Sequence, residues 1–237
     1  MDWKPAIVIM AAVALGLLLG NSVETGISAD NYGSATAKVV GATGKGGGII
    51  GEVTVNIEPG NGKVLIATSP YVKANTQASA KLAKNVAEAY TDTELDDKNV
   101  VYSFNVSSGV IGGPSAGAAM TLATIAAIKD DVEVRKDAVI TGTITRRGRI
   151  GKVGKVMTKA RAAGSSGLEY FYVPEGQSTR VNYRPVVDRE FRGLFVYRDV
   201  EYRREVFDIS NYTERRFDMR THEVGTLSSA AELMLKG

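Results

Sequence analysis

One serine, the only histidine and three lysines carry most of the chemistry open to this chain. Ser115 stands in Gly112-Gly113-Pro114-Ser115-Ala116-Gly117-Ala118-Ala119-Met120, and small or apolar residues continue to Ile128. Pro114 has no amide proton and a preset φ, which suits the first turn of a helix. The pattern predicts a close approach at Gly112–Gly113 and a buried helix over 114–128. The Ser115 hydroxyl would then sit at a helix N-terminus, where free amides and the positive dipole end favour developing negative charge. Such a serine can be a nucleophile with oxyanion donors beside it, or it can simply cap a core helix. This stretch leaves both readings open.

A nucleophilic Ser115 needs a base. His222 is the only imidazole, and Gly113-x-Ser115-x-Gly117 fits the nucleophile elbow of an α/β-hydrolase-type esterase. That elbow needs a strand running straight into the serine, whereas residues 107–113 intervene, and His222 lies in a polar stretch that reads as surface. The other base is a lysine. Val153, Val156, Met157, Ala160 and Gly164 share one helical face, with Lys152, Lys155 and Lys159 on its flank. Periodicity alone makes that flank a solvated basic edge. A lysine base near neutral pH needs its pKa of ~10.4 lowered by about 3 units, a cost of about 4 kcal/mol; partial burial can supply that shift and full solvation cannot.

Composition removes other chemistries. The 237 residues suit one catalytic domain, or one domain with an extra module, and 44% are hydrophobic. Basic residues number 29 against 26 acidic, and this small, dispersed excess of +3 does not predict a nucleic-acid partner. The absence of cysteine excludes disulfides, thiolate metal sites and cysteine nucleophiles, and one histidine excludes multi-histidine metal sites. Gly44-Lys45-Gly46-Gly47-Gly48 lacks the Ser/Thr that follows a phosphate-loop lysine, and a strand follows where a helix is required. Asp92, Glu94, Asp96 and Asp97 lack the glycine and terminal glutamate of a calcium loop. No cofactor and no metal are expected.

The elements that would position these groups read as follows. Residues 1–23 hold an apolar run from Pro5 to Gly20, about 24 Å as a helix and roughly 31 Å with Trp3 and the residues to Val23 included. This predicts a transmembrane anchor or a signal peptide. Lys4 precedes the run and the next base is Lys38, which places the remainder outside the cytoplasm. Residues 24–36 read as a linker, and strands follow at about Ala37–Gly41, Ile49–Ile57 and Lys63–Ala67, with a hairpin signal at Gly60-Asn61-Gly62. Ser69-Pro70 predicts the start of a helix that runs to about Tyr90. Val100–Val106 and Asp137–Ile144 read as strands, Arg146–Arg149 as a basic turn, Val153–Ala163 as a helix capped by Gly164, and Glu169–Val173 as a short strand. Residues 178–222 mix ten arginines with eight acids and four tyrosines, which predicts a salt-bridged, solvated surface with strands at Leu194–Tyr197 and Glu205–Ile209. Leu227–Leu235 reads as a last amphipathic helix. The alternation of strands and helices predicts a mixed α and β domain.

With these segments in order, the chain resembles the proteolytic domain of the Lon family. Gly113-Pro114-Ser115-Ala116-Gly117 is similar to that family's nucleophile motif, and Thr141-Gly142-x-Ile144-Thr145-x-Arg147-Gly148 to its next segment. Lys159 falls where the family's catalytic lysine sits, once a one-residue insertion near 129–134 is allowed. The resemblance covers roughly 36–175 and, more weakly, the last helix. It implies an α+β fold of the Lon proteolytic type (ribosomal protein S5 domain 2-like), archaeal-type and without the ATPase domain. It also implies a serine endopeptidase with a Ser115–Lys159 dyad, acting on proteins or peptides, with homo-oligomers possible. Thr141 would orient Lys159, while Gly113, Pro114 and Ala116 would shape the loop and the oxyanion site. Two departures stand out: glycine replaces the acid expected just before Gly-Pro-Ser, and 178–222 look like an insertion within a peptidase domain spanning 37–237. A non-catalytic peptide-binding membrane protein is the reading that remains if the site is incomplete.

Overall fold

Strand alternation builds the first sheet: Val53, Val55 and Ile57 are buried, while Glu52, Thr54 and Asn56 between them are partly exposed. The computed structural model describes residues 33–237 except 44–45, 68, 108–109 and 193–194, with the backbone alone at 110, 188–192 and 195–197. The expected leader over 1–23, most of the linker, and Gly44 and Lys45 lie outside the described residues. Among the described residues no helix is long and apolar enough to cross a membrane.

Along the chain, β1 (Ser34–Ala42) and β2 (Gly48–Pro59) precede β3 (Val64–Ile66), β4 (Tyr71–Val72) and helix α1 (Ala74–Thr91). Next come β5 (Lys98–Val106), β6 (Val110–Ile111), a 3-10 turn at Pro114–Ala116 and α2 (Gly117–Lys129). Short strands β7 (Glu133–Val134), β8 (Ala138–Ile140), β9 (Thr143–Ile144) and β10 (Ile150–Gly151) lead to α3 (Val156–Ser165) and β11 (Tyr170–Pro174). The chain closes with β12 (Thr179–Arg192), β13 (Phe195–Asp208), α4 (Ile209–Phe217), β14 (Arg220–Val224), α5 (Leu227–Met234) and β15 (Leu235–Lys236). A four-stranded sheet runs β1-β2-β5-β3, and a three-stranded parallel sheet runs β14-β11-β8. The fold is therefore mixed α+β.

Helix α2 is apolar on every side, and every residue from Gly117 to Ala127 is buried. It packs between α1 and the face of β1 and β2. Full burial of a side chain such as Leu122 or Ile125 contributes about 1.5–3 kcal/mol. A second cluster, with Val139, Ala160, Ala163, Phe171 and Met219, lies beneath α3 and α4.

Several local expectations give way to long-range pairing. Gly60-Asn61-Gly62 does not join a two-stranded hairpin, because β3 pairs in parallel with β5, which separates it from β2. The Asn99 side chain instead accepts from the Asn61 and Lys63 amides, each at 3.1 Å. Ser69-Pro70, a cis peptide, does not open the helix: β4 intervenes to pair with β6, and α1 starts after Lys73. The strand expected over 137–144 breaks at Thr141-Gly142, where the backbone leaves the β11 sheet to bond the Ser115 turn. Gly164 lies inside α3 rather than capping it, since the Phe217 ring fills the space where a Cβ would stand. The two short strands expected within 178–222 are one 14-by-14-residue antiparallel ribbon, and Ile209 opens α4 under the Asp208 cap.

Candidate functional site

Ser115 sits in the 3-10 turn ahead of α2 rather than in the α-helix itself, which begins at Gly117. Two neighbouring segments hold the turn. On the upstream side Gly113 has φ +105, a region L side chains rarely adopt. Its amide donates to Asn75 Oδ1 at 3.1 Å and its carbonyl accepts from Thr76 Oγ1 at 3.1 Å. Thr76 is wholly buried, so the first turn of α1 clamps the peptide that leads into Pro114-Ser115. On the downstream side the Ser115 carbonyl accepts from the Gly142 amide at 2.9 Å, and the Ala118 amide donates to the Gly142 carbonyl at 3.1 Å. Gly142 has no room for a Cβ beside Ile150, so glycine permits this close approach.

Lys159 lies in the first turn of α3 and is only 3% exposed. Its Nζ donates to Thr141 Oγ1 at 2.9 Å. Thr141 is fully buried, and its hydroxyl reaches the Ser115 carbonyl at 3.4 Å. One hydroxyl therefore links the lysine to the backbone of the serine turn. Burial pushes the Lys159 ammonium down from its ordinary 10.5 to about 8. Ser115 and Lys159 both line one cavity of about 700 Å³, together with Gly113, Pro114 and Ala116.

The three lysines do not share a solvated flank. Helix α3 starts at Val156, so Lys152 and Lys155 fall in the turn before it, and both are exposed. Lys155 has φ +57, and its Nζ donates to the Thr43 carbonyl at 3.3 Å. Lys159 is covered because α3 lies on β1 and β2, with Gly48 set against the Thr158 carbonyl and Ala162. Periodicity sees only the helix and cannot register that covering sheet.

His222 is exposed on β14, stacked on Tyr172 at 5.9 Å and Tyr170 at 6.3 Å, and takes no part in lining the Ser115 cavity. The two-residue β6 ends before Gly112-Gly113, so no strand runs straight into the serine. Sequence reasoning missed Asn75 and Thr76. Their signal was a polar pair that the early helix start buried inside a helical run. Among the described residues no group of three His, Asp or Glu side chains could hold a metal.

Comparison with known proteins bears on the same elements. The model of the Lon protease (S16) C-terminal proteolytic domain matches residues 18–208, a span that includes both strands of the ribbon. The Lon protease of Brevibacillus choshinensis is 30% identical over 191 residues, 77% of this chain and 24% of that protein. The Lon protease of Fervidobacterium nodosum is 32% identical over 148 residues, 59% of this chain and 18% of that protein. Lon protease 2 of Syntrophobacter fumaroxidans is 28% identical over 210 residues, 86% of this chain and 23% of that protein. The chain spans a quarter or less of the length of these relatives.

Proposed function

The chain belongs to the Lon protease C-terminal proteolytic domain family, a family of serine-type endopeptidases, and from that premise we propose that Ser115 and Lys159 form its catalytic dyad. The observation that carries the reading is the buried Lys159 amine, held by Thr141 in the cavity that Ser115 also lines. A lysine with a pKa of about 8 is half neutral at that pH and roughly one-tenth neutral one unit lower. Neutral Lys159 takes the Ser115 proton as Oγ attacks a peptide carbonyl, and the amides of Ser115 and Ala116 face the oxyanion. Protonated Lys159 then donates to the leaving amine, and water hydrolyses the acyl-enzyme with Lys159 again as base. Thr141 aims the amine, and Gly113 and Pro114 set the turn that presents the hydroxyl.

Protein segments in an unfolded or loosely folded state are the proposed substrates, cleaved without ATP by this chain acting alone. Residues 37–237 form the peptidase domain in this reading, with 178–222 as an insertion. The apolar run from Pro5 to Gly20 with Lys4 ahead of it supports an anchor or export signal and a catalytic domain outside the cytoplasm. Self-association is a further expectation, to be checked by sedimentation.

The test is hydrolysis of an unfolded, fluorescently quenched protein without nucleotide. Ser115→Ala and Lys159→Ala are each expected to abolish it, and His222→Ala to leave it. Loss in His222→Ala with survival in Lys159→Ala would move the chemistry to a histidine-dependent esterase.

A further inference from the structure

The cavity at Ser115 is electrostatically one-sided. Lys73, from the segment entering α1, and Lys152 and Lys155, from the turn entering α3, all line it. All three are exposed, and none forms an ion pair among the described residues. Among the described residues no aspartate or glutamate lines the cavity. Its other walls include the apolar side chains of Val39, Phe104 and Ile111, of which Val39 and Phe104 are buried. Cations of one sign in a cleft with low-dielectric walls focus the field and concentrate ligands of opposite charge. Uncompensated cations at a binding rim also discriminate between partners, because like charges brought there repel.

We infer that the site selects acidic segments: stretches of chain that seat an apolar side chain in the cavity and carry aspartate or glutamate on its flanks, read by Lys73, Lys152 and Lys155. The inference rests on the peptidase reading for what happens after binding. The binding preference itself does not depend on that reading. Net charge does not replace it, since the excess over the whole chain is only +3 and most of its bases lie elsewhere.

The test uses the full chain carrying Ser115→Ala, which holds peptides without cutting them. Two fluorescent peptides share one apolar core and differ only in flanks of glutamate or of lysine, and Kd is read by anisotropy at low salt. The acidic peptide is expected to bind about tenfold tighter, with the ratio shrinking as salt rises. In the background of Lys73→Gln with Lys152→Gln and Lys155→Gln the ratio is expected to collapse towards one. Charge reversal by Lys73→Glu with Lys152→Glu is expected to invert it. Equal affinities in the Ser115→Ala chain, or a preference that survives the glutamine set, overturn the inference. The wild-type chain separates the two claims. If the acidic peptide binds preferentially but is never cut, and a serine-directed probe leaves Ser115 unlabelled, the peptidase reading falls and the charge preference stands. If both peptides are cut and bound alike, the preference falls and the peptidase stands.

Discussion

At the scale of the residue, burial of the Lys159 amine costs the fold stability wherever the unfolded chain would hold that amine protonated. The amine has a pKa of about 8 when folded against an ordinary 10.5, so the unfolded chain binds more protons between those values. Stability therefore rises with pH across that window. Below it both states are protonated and the full cost of about 3 kcal/mol applies, at ~1.36 kcal/mol per unit. Lys159→Met keeps the volume and removes the charge. It is expected to raise stability at pH 7 by about 2–3 kcal/mol, less what the lost bond to Thr141 takes back, or several degrees in Tm. The gain should vanish towards pH 10.5, and thermal melts at both pH values check it. A variant no more stable than the wild type at pH 7 would contradict the burial cost assigned to this amine. Ser115 was legible in the sequence because proline and a small-residue run mark a turn into a buried helix. The burial of Lys159 was not legible from helical period, because β1 and β2, more than a hundred residues upstream, are what cover it. Only the family motifs singled Lys159 out from its neighbours.

At the scale of the element, the serine turn depends on α1. Gly113 has φ +105 with open space around it, so its demand for glycine is conformational rather than steric. Asn75 and Thr76 fasten that residue through the two peptide groups that flank its Cα. Here the first turn of α1 provides side-chain support for the turn that presents Ser115. Asn75→Leu removes the acceptor for the Gly113 amide and is expected to lower kcat about tenfold with little change in KM. Asn75→Asp keeps an acceptor and is expected to recover most of the rate. Steady-state kinetics on the two variants check this, and equal loss in both would point to a structural role only. The clamp escaped sequence reading because Ser69-Pro70 is a strong local helix start. The pairing of β4 with β6 overrides it and moves the start to Ala74. The broken strand at Thr141-Gly142 has the same origin, since the Gly142 amide and carbonyl bond the Ser115 carbonyl and the Ala118 amide, far earlier in the chain, instead of a neighbouring strand.

At the scale of the whole molecule, the two buried clusters carry the site and the ribbon stands apart from them. No described residue of β12 or β13 belongs to either cluster, and at the base Phe207 meets Tyr212 of α4 at 5.6 Å. Replacing residues 186–201 by Asn-Gly would close the ribbon after the Pro185–Tyr202 pair with a two-residue turn. The trimmed chain is expected to melt within about 2 °C of the parent, because little buried apolar area is removed. A larger fall in the calorimetric midpoint would show that the ribbon supports the domain. Its 14-residue strands were hidden from sequence reading because, over 179–187 and 198–208, no side chain on either face is buried, and no buried side imposes an alternation. The molecule as a whole rests on one claim, that a water-shielded amine on α3 activates the hydroxyl ahead of α2. The most direct measurement is the rate at which a serine-directed electrophile labels Ser115 as a function of pH. The expected result is a sigmoid rise with its midpoint near 8, absent in Lys159→Met. Labelling that is independent of pH, or equally fast without the Lys159 amine, would contradict it.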